Sequence, residues 1–146
     1  MEASRQLTND LAFILGWYTG DGSCGDNSVT IYLGVDNNYQ PLIDAVKREF
    51  NINATSDIRG NMRPVYIYSV IVRHLIKGMI PGVALTKKVP KEILHATDSI
   101  KLSFLNGLWE ADGYIDDQKA ILATGSRELA YDVYRMLLHL GCIASI

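Results

Sequence analysis

Two stretches of the chain carry the same pattern of apolar and small residues. LAFILGWYTGDGS (residues 11–23) and FLNGLWEADGYID (residues 104–116) are each an apolar helical run with a small residue at every fourth position, ending in an acid followed by glycine. The first supplies Gly16, Gly20, Asp21 and Gly22; the second supplies Gly107, Ala111, Asp112 and Gly113. Around them the pattern changes period. Thr8, Asn9 and Asp10 are candidate N-caps for a helix from about Leu11 to Thr19. SVTIYLGV alternates, with Val29, Ile31, Leu33 and Val35 on one face and Thr30, Tyr32 and Gly34 on the other, which predicts a half-buried strand. QPLIDAVKREF places Leu42, Ile43, Val46 and Phe50 on one helical stripe. INATSDI and RPVYIYSV predict two strands joined by the turn-prone Arg59-Gly60-Asn61. Ile71 to Met79 predicts a short helix, GVALTKKVP a connector, and Pro90 the opening of a helix in KEILHA. The second motif helix is expected from about Lys101.

The pattern then restarts. YIDDQKAILATG holds at least one strand, and SRELAYDVYRMLLHLG is a helix carrying Leu129, Val133, Met136, Leu137 and Leu140, with Ser126 as its cap and Gly141 as its stop. CIASI is expected to begin another strand. Asp21 and Asp112 lie 91 positions apart, and the same shift lays Ile143 on Ile52. The chain therefore predicts an internal repeat of helix, two strands, helix, two strands, helix. Counted from the motif acids, the first copy runs 91 residues and the second 34, so a strand and a closing helix are missing from the second.

Small residues four apart share one helix face and let two backbones approach closely. If the motif helices pack through Gly16, Gly20, Gly107 and Ala111, both acids fall at the same end, side by side. Two carboxylates that close repel unless a cation lies between them, which points to a divalent metal.

Composition bounds this picture. At 146 residues and 48% hydrophobic, the chain can bury a core and is expected to be one domain over residues 1–146. No apolar run approaches the roughly 18 residues of a membrane span, and MEASRQLTND lacks a secretory apolar segment. Cys24 and Cys142 lack zinc-ligand spacing and are expected to be buried free thiols in a reducing, intracellular setting, cytoplasm or nucleoid. His74, His95 and His139 are scattered. The net charge of −2 hides an uneven distribution. Residues 51–91 hold seven basic groups (Arg59, Arg63, Arg73, Lys77, Lys87, Lys88 and Lys91) against one acid, Asp57. A solvated surface would account for this, but Arg63 interleaved with Tyr66 and Tyr68 suits phosphate and base contacts.

LNGLWEADG, Leu105 to Gly113, resembles the motif of the LAGLIDADG homing endonucleases, matching at Leu105, Gly107, Leu108, Ala111, Asp112 and Gly113, with Glu110 in place of the first aspartate. ILGWYTGDG is a looser copy that keeps Gly16, Asp21 and Gly22. KKVPKEI, Lys87 to Ile93, is similar to the stretch before the second motif in endonuclease domains found in inteins, where a lysine stands three residues before a proline. No splicing blocks are visible, so the chain by itself is not expected to splice.

The resemblance implies an α+β fold, a pseudo-twofold repeat of α-β-β-α-β-β-α with the motif helices at its centre and antiparallel DNA-binding sheets. The first repeat would span about residues 8–98 and the incomplete second about 99–146. It implies a site-specific double-strand DNA endonuclease, or the larger fragment of one, hydrolysing phosphodiesters with Mg²⁺, for which Mn²⁺ can substitute. Asp21 and Asp112 would hold the metal with the backbone carbonyls of Gly20 and Ala111, and Lys87 would be the active-site lysine. Candidate DNA contacts are Ser28, Thr30, Tyr32, Arg59, Asn61, Arg63, Tyr66 and Tyr68 on the strands and turn, with Lys77 and Lys88 toward phosphate. The partner implied is double-stranded DNA with a long target site. A cleavage-deficient DNA- or RNA-binding module, maturase-like or regulatory, is the alternative on the same fold. The short second copy calls for a second polypeptide or self-association to complete it, because an open sheet edge invites pairing.

Overall fold

The computed structural model describes residues 6–146. At its centre two helices cross with their backbones touching. These are α1 (Asn9–Asp21) and α5 (Asp98–Asp112), each opened by a threonine whose hydroxyl accepts an amide of the first turn, Thr8 from Leu11 and Thr97 from Ile100. Capped by Thr97, α5 starts at Asp98, three residues before the expected Lys101. Leu11, Ala12, Ile14, Leu15, Trp17 and Tyr18 are buried all round α1, as a helix without a polar face must be. A β-carbon at Gly16 would lie 2.0 Å from the carbonyl oxygen of Phe104, and one at Gly107 would lie 2.1 Å from that of Phe13. The contact is reciprocal, as a pseudo-twofold axis between the helices requires. At the N-terminal end the Asn9 side-chain oxygen accepts from the Ser99 and Ser103 hydroxyls. At the C-terminal end Gly20 faces Ala111. The helices are therefore parallel.

Four antiparallel strands follow the order β1-β2-β4-β3: β1 Gly22–Cys24, β2 Val29–Gly34, β3 Thr55–Ser56 and β4 Met62–Ile67. The register pairs Val29 with Ile67 and Ile31 with Val65, and these four fully buried side chains form the inner face. Helices α2 (Gln40–Phe50) and α3 (Val70–Met79) contribute Leu42, Ala45, Val46, Val72 and Ile76 to the same core. The short α4 (Lys91–Leu94) leads into α5.

The second half repeats the start of the first. Strands β5 (Gly113–Asp116) and β6 (Lys119–Leu122) pair Gly113 with Leu122, as β1 and β2 pair Gly22 with Ile31 at the same 91-residue shift. Helix α6 (Arg127–His139) buries Val133 and Met136, which that shift places on Leu42 and Ala45 of α2. In the first half β2 has a strand on both sides; β6 pairs only with β5 among the described residues.

Several local expectations needed correction. The glycines after the motif acids, Gly22 and Gly113, have φ of −105° and −100°, and the chain passes directly into β1 and β5. Glycine is needed there because the ring of the residue four back covers it, so a β-carbon at Gly22 would lie 2.1 Å from Tyr18 and one at Gly113 would lie 2.2 Å from Trp109. INATSDI contributes only Thr55–Ser56. YIDDQKAILATG does hold strand, as expected, in a hairpin whose turn has Asp117 at φ 50°. CIASI forms no strand. Gly141 at φ +84° ends α6 as expected, but none of the described strands lies alongside residues 142–146, and a strand needs a ladder partner. Val35 falls beyond the end of β2 and is exposed, Cys142 is exposed, and Cys24 is half-buried.

The helix crossing makes a direct prediction. Gly16→Ala and Gly107→Ala each press a methyl into backbone and should cost roughly 3 kcal/mol in urea denaturation. Gly78→Ala, in α3 with nothing within 4 Å of the added carbon, should instead stabilise by about 0.5 kcal/mol. Equal, small effects at all three positions would contradict the close crossing.

Candidate metal and nucleic-acid site

The parallel crossing delivers the last residues of α1 and α5, Asp21 and Asp112, to one point. Their side chains hydrogen-bond each other, and both carboxyls are half-buried. Burial raises both pKa values. Asp112 is pushed up to about 7, by burial first and then by the charge and hydrogen bond of Asp21. Asp21 is raised by burial, against the hydrogen bond from Asp112 and the nearby Lys87 charge. A β-carbon at Gly20 would stand 2.4 Å from that of Ala111 and 3.2 Å from an Asp112 carboxyl oxygen, so glycine is what lets the acids converge.

Lys87 completes the cluster. It is one of few buried polar residues, 4% exposed, although it sits in the irregular connector between α3 and α4. Its ammonium donates to the Tyr18 carbonyl at 3.0 Å and to the Gly22 carbonyl, and lies 4.5 Å over the Tyr18 ring. It thus caps the end of α1, where carbonyls lack helical partners and the helix dipole is negative. Burial lowers its pKa, while the charges of Asp21 and Asp112 act in the opposite direction.

Two carboxylates meet here beside the Lys87 ammonium, with no group of three or more His, Cys, Asp or Glu side chains among the described residues. The carboxylate pair fits a small hard cation such as Mg²⁺, which keeps several waters and takes further ligands from phosphate.

The strand candidates divide by face. Ser23, Thr30, Tyr66 and Thr55 are paired across the sheet and share its outer face, next to a row in which exposed Tyr32 pairs with Pro64. Tyr66 and Tyr68 stack at 5.8 Å, Tyr68 is exposed, and Ser28 lies just before β2. Arg59 and Asn61 flank Gly60, φ +64°, at the exposed tip, where Arg59 pairs with Asp57 at 3.1 Å. Arg63 departs from the expected interleaving. It is in register with Leu33, on the face opposite Tyr66, and its guanidinium lies 4.5 Å over the Tyr39 ring. An odd spacing along β4 separates Arg63 from Tyr66, and strand side chains alternate. Lys77 is half-buried with its charge near Lys87, and Lys88 reaches Glu128 at 3.9 Å rather than the sheet. Tyr18 and Cys24, whose side chains hydrogen-bond beside Lys87, were not legible as site residues; each occurs as an ordinary core position in its pattern.

Residues 99–146 match the model of the LAGLIDADG-like domain. The chain is also similar, along most of its length, to a DNA polymerase of Acanthamoeba polyphaga mimivirus (31% identical over 120 residues, 73% of this chain). Residues 99–146 are thus a LAGLIDADG-like domain. A protein of the A-type ATP synthase of Pyrococcus abyssi is similar as well (29% identical over 145 residues, 96% of this chain). The chain spans only 7% of the polymerase and 14% of the synthase protein. The crystal structure of I-DmoI in complex with DNA and Mn superposes with a TM-score of 0.66 at 18% identity, covering 91% of this chain and 78% of that one. The LAGLIDADG fold is thus shared across nearly the whole chain.

The raised carboxyl sets a pH dependence. Between the ordinary 3.8 and about 7, the folded protein holds a proton on Asp112 that the unfolded chain has released. Stability in chelator should therefore fall as pH rises through that window. Asp112→Asn should remove this component in urea denaturation at a series of pH values. A variant with the parental slope would show that the acids do not face each other.

Proposed function

We propose that the chain is the LAGLIDADG endonuclease domain, or the larger part of one, of a site-specific double-strand DNA homing endonuclease. The observation that carries this reading is the meeting of Asp21 and Asp112, one from each copy of the repeat, beside the buried Lys87. An acid pair kept only for stability would be a poor choice, since it places two mutually repelling groups at a half-buried point.

Bound Mg²⁺ would supply a water of lowered pKa and positive charge beside the phosphate. Asp21 and Asp112 would hold it, with the carbonyls of Gly20 and Ala111; they position rather than attack. Lys87 would add positive charge beside the scissile phosphate. The outer face around Thr30, Tyr32, Tyr66 and Tyr68, with Arg59 and Asn61 at the tip, would lie against bases in the major groove of a long site. Arg63, on the opposite face, braces Tyr39 instead of reading a base.

The similar segments occur within proteins whose names share no activity, a DNA polymerase and part of an ATP synthase, so the segment is what they have in common. That distribution supports a mobile, intein-associated module acting on DNA inside the cell. No helix among the described residues is long and apolar enough to cross a membrane.

The open edge of β6 favours completion from outside these residues, by a second polypeptide or by self-association. Ile115 is 77% exposed and Ile143 fully exposed, whereas the Val29 and Ile31 side chains of the complete sheet are fully buried. Purified alone, the chain should show a native mass above 16.2 kDa by light scattering; a stable 16.2 kDa monomer would contradict this and favour the cleavage-deficient binding module.

Asp21→Asn and Asp112→Asn should each lower double-strand cleavage by at least about 100-fold with little change in DNA affinity, read by plasmid linearisation and mobility shift. Parental cleavage by both variants would remove the metal-site reading.

A further inference from the structure

The connector that carries Lys87 has no helix or strand of its own, yet the lysine ammonium must be held at the end of α1. Lysine has a long, flexible stem, so its placement depends on where the backbone at 87 is fixed. The local turn fixes it on one side only, through the Lys87 amide bonded to the Val83 carbonyl. The other anchors come from α6, a helix of the second copy. The Ser126 hydroxyl, 1% exposed, donates to the Lys87 carbonyl at 2.5 Å and accepts from the Leu129 amide at 3.2 Å, so one oxygen both caps α6 and grips the connector. One turn into α6, the Asp132 carboxylate accepts from the Val89 amide. Lys88 reaches Glu128 between them, but both side chains are largely solvated and that pair adds little.

We infer that Ser126 and Asp132 are positioning residues for Lys87, through which the second copy of the repeat sets the active-site lysine of the first. The inference rests on the nuclease reading for its consequence, though not for its geometry. It gives the short second half a specific task besides supplying Asp112. It also explains why Ser126 is buried to a degree that an ordinary cap does not need: the hydroxyl has one proton, and that proton is committed to the Lys87 carbonyl.

Two readouts test it on the full chain. In the first, amine acylation is followed by peptide mass spectrometry, with exposed Lys91 as the internal reference. Lys87 should be protected in the parent and labelled several-fold faster in Ser126→Ala, Asp132→Ala and most of all in the double variant, while Ser126→Thr keeps the protection. Ser69→Ala removes the equivalent cap of α3 and controls for general destabilisation; it should leave Lys87 protected. In the second, cleavage kinetics with the completed nuclease should show kcat lowered about tenfold in Ser126→Ala with KM unchanged, because a displaced group beside the scissile bond weakens the transition state more than binding. Persistent protection of Lys87 in the double variant, or equal labelling in Ser69→Ala, would overturn the inference. So would faster labelling with unchanged kcat. A parent that cleaves no DNA would instead sink the nuclease reading, and the labelling result would still decide whether α6 holds the lysine.

Discussion

The close approach of α1 and α5 at Gly16 and Gly107 is the constraint on which the rest of the structure depends. A hydrogen atom is all that fits between each glycine and the carbonyl of the facing helix, so sequence at two positions sets the separation of two whole elements. Because the contact is reciprocal, it also sets symmetry. Each helix then ends at the same level, and the residue that ends it is an acid. The sheets grow outward from those ends, since β1 and β5 begin at the glycine that follows. Core packing elsewhere, of Val29, Ile31, Val65 and Ile67 under α2 and α3, stabilises the first half without deciding where the acids go.

Bringing two carboxyls together is costly, and the protein offsets that cost in different ways around the site. A proton shared between Asp21 and Asp112 relieves it in acid, and the ammonium of Lys87 relieves part of it at higher pH. Lys87 is itself desolvated, and two carbonyls at the end of α1 plus the Tyr18 ring replace its water. Two carboxyls facing one ammonium make an arrangement suited to a cation. Function here follows from an electrostatic arrangement that folding alone would not favour.

Much of this was legible in the residues. Small residues four apart, followed by an acid, foretold the crossing and the meeting of the acids, because helix periodicity is rigid enough to carry geometry over four turns. The 91-residue shift foretold that the second half would start as the first does. What failed was local and short. β1 has three residues and no room for alternation; CIASI has strand composition but no neighbour; Arg63 looked adjacent to Tyr66 in a basic, aromatic segment while the pleat turned it to the other face. Ser126 was readable as a cap, but its bond to a carbonyl 39 residues away depends on tertiary packing that no local pattern reports.

The central claim is that acids from the two copies form one shared cation site. The most direct measurement is anomalous diffraction from crystals soaked in Mn²⁺. Peaks within coordination distance of both Asp21 and Asp112 are expected, disappearing in Asp112→Asn. Density that leaves the two carboxyls hydrogen-bonded to each other, with manganese bound elsewhere on the surface, would contradict the account.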